Sequence, residues 1–218
     1  SAGYKAAAAY AGGKVIQDVG GGICQISSTL YNAVLLANLE ITDRSNHCFE
    51  TSYVPAGRDA TVNWGTVDFQ FKNNRKYPIK IETTAGGGIA TAKIHGLKEE
   101  NEYEVVIQSK VTSYISRTTR YKNDSTMDEG KEVIEDNGFD GCNSETYKIL
   151  KLNGEVVSQT LISRDSYDPM DRIIIRGTKK VVKPEQEVPV NKGNEEQEPT
   201  QEQNQTENQE ENNNKPNT

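Results

Sequence analysis

The segment GGGICQISSTLYNA, residues 20–33, places Cys24 just after three glycines and at the predicted start of a helix. A thiolate is the reactive form of cysteine, and a helix N-terminus lowers the pKa of a thiol. Unpaired N–H groups there can also stabilise an oxyanion, and the glycines would let a substrate approach the backbone closely. These features favour a nucleophile. The alternative is a buried structural thiol, the usual role of a cysteine in an apolar helix.

A nucleophilic cysteine needs a base, usually histidine, and the histidine needs an orienting acceptor. The sequence has two histidines, His47 in SNHCFETSY and His95 in KIHG. His47 is the better candidate because its segment is predicted to return as a strand beside the helix. Asp59 or Asp68, on the following segments, could accept a hydrogen bond from the imidazole, although Asp59 could equally be a turn residue.

The order of these residues along the chain is cysteine on a helix start, histidine on a strand, then an acid. This order resembles that of papain-like and transglutaminase-like folds, with a shorter separation between Cys24 and His47 than those folds have. We therefore predict Cys24, His47 and Asp59 as catalytic residues. Cys24, His47 and Cys48 do not form a recognised metal-ligand spacing, so we expect no metal and no cofactor.

Local patterns predict the elements that position these side chains. Residues 4–11 (YKAAAAYA) favour a helix by alanine content, and Lys14 to Val19 a short strand. A second helix starts at Ile23 and ends near Leu39. Its helical spacing predicts a buried stripe formed by Ile23, Ile26, Leu30, Ala33, Val34 and Ala37. Cys24, Ser27, Ser28 and Tyr31 lie toward another face.

Period-two alternation after this helix predicts strands in EITDR, NHCFETSYV, TVDFQF and YPIKIETT, with a hairpin through AGGG into IATAKIHG. From about residue 102 to 179 the runs EYEVVIQ, TYKILKL, EVVSQTLIS and IIIRG alternate in the same way. Asn153-Gly154 between two of them is a strong hairpin signal. The predicted fold is an α+β N-terminal domain, with a helix packed on an antiparallel sheet, followed by a small, extended all-β module.

Charge is distributed unevenly between the body of the chain and its C-terminal end. Residues 181–218 contain nine Glu against three Lys and no aromatic residue, which predicts a disordered acidic tail. The other residues have 22 basic against 23 acidic side chains, so no nucleic-acid partner is expected. No apolar run approaches the roughly 20 residues that span a bilayer. The predicted divisions are residues 1–98, 99–180 and 181–218.

The three cysteines leave their oxidation state open. All three could be free, or one pair could form and leave one thiol. Cys48 and Cys142 could pair with each other, or either could pair with Cys24. A disulfide at Cys24 would remove the nucleophile.

Residues 3–96 resemble the VanW family, which is named for an accessory protein of vancomycin-resistance clusters. The motifs are GGG-x-CQ-x-S-x-x-LY-N-A, H-x5-Y-V-P-x-G-x-DA and D-F-x-F-x-N-N. The position after His47, commonly Ser in the family, is Cys48 here. The polar residues of these motifs exceed what a core needs, and the resemblance implies a substrate-binding set: Gly21, Gly22, Gln25, Ser27, Tyr31, Tyr53, Arg58 and Asp68.

The second unit resembles a G-five domain, a β-module of bacterial surface proteins. The resemblance lies in DNGFDGCNSETYKILKLNGEVVSQTLISRDSY and DPMDRIIIRGTKK. Such modules are associated with adhesion and with cell-wall sugars. Together the two resemblances imply an exported protein at the cell surface of a Gram-positive envelope. The implied partner is peptidoglycan or another cell-wall glycan or peptide, with membrane attachment only through an N-terminal anchor that precedes residue 1.

Two functions follow as expectations. In the first, a thiol enzyme acts on a peptide or amide bond of the cell wall. Cys24 attacks a carbonyl, His47 moves the proton, Asp59 orients His47, and the backbone at Cys24 with the Gln25 side chain holds the oxyanion. In the second, the protein is a non-catalytic wall-binding or scaffold protein linked to glycopeptide resistance, and Cys24 is structural.

Overall fold

The computed structural model describes residues 6–11 and 14–180. Strand β1 (Ala6–Ala11) pairs antiparallel with β2 (Lys14–Val19). The helix predicted over residues 4–11 is therefore wrong at residues 6–11, whereas the strand at Lys14 to Val19 is confirmed; residues 4 and 5 lie outside the described residues. An alanine segment of this length is too short to be a stable helix by propensity alone, and pairing with β2 satisfies its backbone. The predicted disorder of residues 181–218 lies outside the described residues.

Helix α1 (Ile23–Leu36) begins after Gly22, whose φ of 92° only glycine adopts readily, and ends before Asn38 at φ 55°. Its extent confirms the predicted helix, but the predicted buried stripe is wrong, because Val34 is its one buried member. Ile23 and Ile26 are 38% and 44% exposed, and the buried residues are Ser28, Tyr31, Val34 and Leu35.

The polar face of α1 is buried because its hydroxyl groups find partners. Ser28 donates to the Cys24 carbonyl at 2.7 Å and accepts from the Ala60 N–H at 2.9 Å. Burial of a hydroxyl is tolerated when it is hydrogen-bonded in this way. The face that carries Cys24 and Ser28 therefore points into the molecule.

The chain after α1 forms short strands around a long loop. Strand β3 (Glu40–Asp43) pairs with β4 (Gln70–Lys72), and β5 (Lys80–Gly86) forms the predicted hairpin with β6 (Ile89–His95). The strand predicted in NHCFETSYV is wrong, because residues 46–54 are irregular. The backbone there bonds to side chains instead of to a neighbouring strand, as where the backbone N–H of His47 donates to the Asp59 carboxylate.

The second unit contains six strands. They are β7 (Glu104–Ile115), β8 (Thr119–Asp128), β9 (Glu132–Asp136), β10 (Gly141–Leu152), β11 (Glu155–Tyr167) and β12 (Arg172–Lys179). One sheet has the order β11-β10-β7 and is antiparallel. The other has the order β8-β12-β9, with β12 parallel to β8. Asn153 and Gly154, both at positive φ, form the predicted hairpin turn, and the all-β prediction is confirmed.

Both units contribute side chains to the same core. Tyr31, Leu35 and Ala60 form one buried cluster, against which Ile107 of β7 and Ile162 of β11 pack. A second cluster joins Ala56 of the loop to Cys142 and Tyr167 of the second unit. The loop that carries His47 is therefore packed on β10 and β11. The division at residues 98 and 99 stays a prediction.

Strands β3 and β6 beside α1 belong to two-stranded sheets, and β7 belongs to the sheet of the second unit, so the architecture gives no support to a papain-like or transglutaminase-like fold. No helix among residues 6–11 and 14–180 has the length and apolarity that crossing a membrane requires.

Substitution of Gly57 tests the packing of the loop on β10. Gly57 has φ 82°, and an added Cβ would lie 2.1 Å from Oγ1 of Thr146, which is fully buried. We expect Gly57→Ala to lower the free energy of unfolding by about 2–4 kcal/mol, from left-handed strain plus overpacking. Urea unfolding of the full chain measures it. Gly154→Ala is the control, because Gly154 has φ 87° and no atom within 4 Å of an added Cβ. Equal losses in the two variants would contradict the packing argument.

Candidate active site

Cys24 is the second residue of α1 and its thiol is half-buried against the loop. Its Sγ lies 3.7 Å from Oγ1 of Thr61, 3.4 Å from the Val62 carbonyl oxygen and 3.5 Å from the Val62 backbone N. The start of the helix and the segment after Asp59 therefore hold the sulfur from two sides.

The three residues predicted as catalytic are brought together. Nδ1 of His47 lies 2.6 Å from Oδ2 of Asp59, and Cys24 and His47 are close enough for each side chain to shift the pKa of the other. Asp59 occupies Nδ1, so Nε2 is the ring nitrogen that faces the other partners of the imidazole, among them the Tyr53 hydroxyl at 3.4 Å. The order thiol, imidazole, carboxylate is that of a thiol-enzyme triad. Catalysis by these residues stays a prediction.

Burial and hydrogen bonding act against each other on the thiol and the imidazole. Burial alone would raise the pKa of Cys24, but hydrogen bonds with His47, Val62 and Thr61 outweigh it and lower the pKa to about 7. Burial would likewise lower the pKa of His47, but the hydrogen bond to Asp59 and the contact with Cys24 raise it to about 9. Between pH 7 and 9 the pair is therefore a thiolate beside an imidazolium.

Asp59 is the most heavily bonded side chain of the site. Oδ2 accepts from the backbone N of His47 at 2.7 Å as well as from its ring, and Oδ1 accepts from Nη2 of Arg44 at 3.0 Å and from the Tyr167 hydroxyl at 2.5 Å. Burial would raise the pKa of Asp59, but these donors hold it below its usual value. With 1% of its side chain exposed, Asp59 is not a surface turn residue.

The other candidate acid does not take part. Asp68 is exposed and accepts from the backbone N of Phe69 at 2.8 Å and from the side chain of Gln70 at 3.2 Å. Its carboxylate is thus used within its own segment.

Among the predicted substrate-binding residues, Tyr53 contacts the imidazole of His47. Its ring stands edge-on to the His47 ring, with centroids 6.3 Å apart, and its hydroxyl lies 3.4 Å from Nε2. Burial raises the pKa of Tyr53 to about 12, so the hydroxyl keeps its proton at neutral pH. Ser27 donates to the Cys24 carbonyl at 3.0 Å and to the Ala60 carbonyl at 2.6 Å.

The residues around the helix start are more open. Gly22 and Gln25 are exposed, and Gly21 is half-buried. The backbone N of Gln25 donates to the Gly22 carbonyl at 3.1 Å and so takes no part in the predicted oxyanion site. The backbone N–H of Cys24 and the side chain of Gln25 stay the predicted donors.

The side chains of Tyr31 and Arg58, predicted to bind substrate, are engaged with other residues of the protein. Tyr31 is 3% exposed, and the Arg44 guanidinium lies 5.2 Å above its ring centroid. Arg58 donates to Oδ1 of Asn32 at 2.5 Å and to the Ile107 carbonyl at 3.3 Å, which ties the loop to α1 and β7.

All three cysteines are free thiols in this structure. Cys48 is exposed, and Cys142 is buried, with its Sγ 3.7 Å from a carboxylate oxygen of Glu50. Burial first, and then Glu50, raise the pKa of Cys142 to about 11. Cys24 is thus the thiol whose surroundings favour ionisation.

Sequence reasoning missed the residues that support the triad: Arg44, Thr61, Val62, Asp165 and Tyr167. Arg44 pairs with both Asp59 and Asp165, and its Nε also donates to the Asp59 carbonyl at 2.6 Å. One signal was present in SRDSYD, because alternation in β11 places Asp165 and Tyr167 on one face. Both are buried on a strand that is otherwise mostly open.

Comparison with known proteins identifies the two parts of the chain. The family described as VanW like protein matches residues 1–95, and the G5 domain family matches residues 106–179. A relative from Bacillus subtilis (strain 168), the uncharacterized protein YoaR, is 51% identical over 86 residues. That match covers 39% of this chain and 28% of YoaR, so the chain spans less than a third of this relative.

Two solved structures match the second part. A structure titled IgA1 protease G5 domain is 26% identical, with a TM-score of 0.26, and covers 37% of this chain and 98% of its own. A structure titled HP0197-G5 is 18% identical, with a TM-score of 0.22, and covers 35% of this chain and 99% of its own. With TM-scores this low, neither superposition bears on function. The family matches carry the assignment: this chain contains a VanW-like domain followed by a G5 domain.

Proposed function

We propose that this protein is a cell-wall-associated thiol enzyme that acts on an amide or peptide bond of peptidoglycan. The observation that carries the proposal is the grouping of Cys24, His47 and Asp59, in which Nδ1 of His47 lies 2.6 Å from Asp59 and the thiol pKa is lowered to about 7. A buried structural thiol would show the opposite shift, as Cys142 does. The VanW-like and G5 domains support a place at the cell surface, where the G5 domain would bind wall glycan.

The proposed reaction proceeds through an acyl-enzyme. The Cys24 thiolate attacks the carbonyl carbon, and the carbon–nitrogen bond breaks as the His47 imidazolium donates its Nε2 proton to the leaving amine. The product of this step is a thioester on Cys24 and a neutral imidazole. Water then attacks the thioester while His47 accepts its proton, which releases a carboxylic acid and restores the ion pair. Asp59 keeps Nδ1 protonated and Nε2 directed at the sulfur throughout.

The pH profile of alkylation tests the ion pair on the intact chain. We expect the rate at which iodoacetamide labels Cys24, mapped by peptide mass spectrometry, to rise with pH with a midpoint of about 7, because the thiolate is the reacting form. The midpoint of the pH profile is compared instead of the maximal labelling rate, because a thiolate of lower pKa is also less nucleophilic and reacts more slowly once it has formed. Label on the exposed Cys48 serves as the internal reference.

His47→Ala should move the Cys24 midpoint upward to about 8.5 or above, because burial then acts on a thiol that has lost its main charge partner. His95→Ala is the matched control, since His95 lies on the exposed hairpin beside Glu82. A midpoint near 8.5 in the wild-type protein, or the same midpoint in wild type and His47→Ala, would contradict the ion pair.

Turnover of purified peptidoglycan tests the catalytic step. Wild type should release new amino and carboxyl groups, with a bell-shaped pH dependence whose limbs lie near 7 and 9, the pKa values of Cys24 and His47. Cys24→Ala should lower the rate by at least about 10³-fold, because the nucleophile is gone. Cys48→Ala should keep the wild-type rate. Release of products by Cys24→Ala at the wild-type rate would exclude Cys24 as nucleophile.

A non-catalytic wall-binding protein is the second candidate. The observation that favours it is Trp64, which is fully exposed at the tip of a tight turn. The bridge from Asn63 to Val67 holds that turn, and Val62 just before it contacts Cys24. An exposed indole is a binding surface for flat apolar faces such as those of sugar rings. Under this alternative Cys24→Ala and wild type sediment equally with peptidoglycan, and neither releases products.

A further inference from the structure

The second domain reaches into the thiol site through the end of β11. Tyr167 is fully buried, and its hydroxyl donates to Oδ1 of Asp59 at 2.5 Å. The same hydroxyl accepts from the backbone N of Gly57 at 2.7 Å. It therefore bridges the two ends of the short segment 57–59, whose turn is closed by a bond from the Arg58 N to the Pro55 carbonyl.

Two further contacts join the same segment to β10 and β11. Thr146 donates to the Gly57 carbonyl at 3.2 Å, and Asp165 pairs with Arg44, whose other nitrogen holds Asp59. The Arg44, Asp59 and Asp165 side chains are each at most 6% exposed. These bonds are buried, so they are screened little by water or salt.

We propose that Tyr167 is a positioning residue for the thiol–imidazole pair, so that the G5 domain is part of the active site in addition to any binding of wall glycan. This inference rests on the proposed function, because it assumes that the pair of Cys24 and His47 is the reactive element. It assigns to the second domain a role that a passive tether would not have.

The donors are divided between the two oxygens of the Asp59 carboxylate. His47 donates both of its bonds to Oδ2, whereas Tyr167 and Arg44 donate to Oδ1. A carboxylate anchored at one oxygen presents the other in a fixed direction. His47 can then direct Nε2 at Cys24 only while Oδ1 stays anchored. Without the Tyr167 hydroxyl, Arg44 is the single side-chain anchor, and the Gly57 N–H loses its partner.

Tyr167→Phe in the full chain tests the proposal, because phenylalanine keeps the ring in its cluster with Ala56 and Cys142 and removes the hydroxyl alone. We expect the midpoint of Cys24 alkylation to rise by about 0.5–1 pH unit, so that labelling at pH 7 falls about two- to fivefold as the thiolate fraction drops. The melting temperature, measured in parallel, shows that the variant is folded.

Tyr147→Phe is the matched control. It removes another tyrosine hydroxyl of the same domain, one that donates to Glu145 at 2.7 Å and does not touch Asp59. Its Cys24 midpoint should equal that of wild type. Two outcomes for Tyr167→Phe overturn the proposal. The first is an unchanged profile. The second is a midpoint at lower pH, which a purely electrostatic strengthening of the Asp59–His47 bond would cause.

Failure of this inference is distinguishable from failure of the proposed function. An ordinary midpoint near 8.5 in the wild-type protein contradicts the proposed function itself. A wild-type midpoint near 7 that Tyr167→Phe leaves in place contradicts the positioning role alone.

If Tyr167→Phe does not fold, proton NMR of the wild type replaces it. The Tyr167 hydroxyl should give a slowly exchanging signal with a cross-peak to the Gly57 amide proton, and its absence overturns the proposal.

Discussion

A single buried carboxylate, that of Asp59, organises the site and joins the two domains. It accepts four hydrogen bonds, two from His47 and one each from Arg44 and Tyr167. A buried anion is costly unless it is paired and fully hydrogen-bonded, so each donor stabilises the arrangement of all the others. The imidazole is held by Asp59, and the thiolate by the imidazole. The raised pKa of His47 and the lowered pKa of Cys24 follow from these contacts.

The same constraint explains why the two domains share a core. Arg44 and Asp59 come from the VanW-like part, whereas Asp165 and Tyr167 end β11 of the G5 domain. Around them, Gly57 packs so closely on Thr146 that no side chain fits, and Ala56 lies against Cys142 and Tyr167. Hydrogen bonds of such a network are stronger in a low-dielectric interior, and packing of the loop on β10 and β11 buries Arg44, Asp59 and Asp165.

Periodicity and turn chemistry predict helix α1, the hairpin of β5 and β6, and the all-β second domain, because each is encoded in neighbouring residues. They fail at Ala6–Ala11, where pairing with β2 overrides alanine propensity, and at residues 46–54, where side chains replace a strand partner. The set Cys24, His47 and Asp59 could be named from residue type and spacing. Arg44, Asp165 and Tyr167 could not, because the contacts from Asp165 and Tyr167 to the VanW-like part cross more than 100 positions of the chain.

The charge state of His47 tests the central claim most directly. The protein contains two histidines, so nitrogen-15 NMR of the imidazole rings, assigned with His95→Ala, resolves both. With the pKa of His47 raised to about 9 by Asp59 and Cys24, its ring should carry a proton on both nitrogens at pH 8, and should lose one in Cys24→Ala at lower pH than in wild type. A neutral His47 ring at pH 8 in the wild-type protein would contradict the thiolate–imidazolium pair on which the account depends.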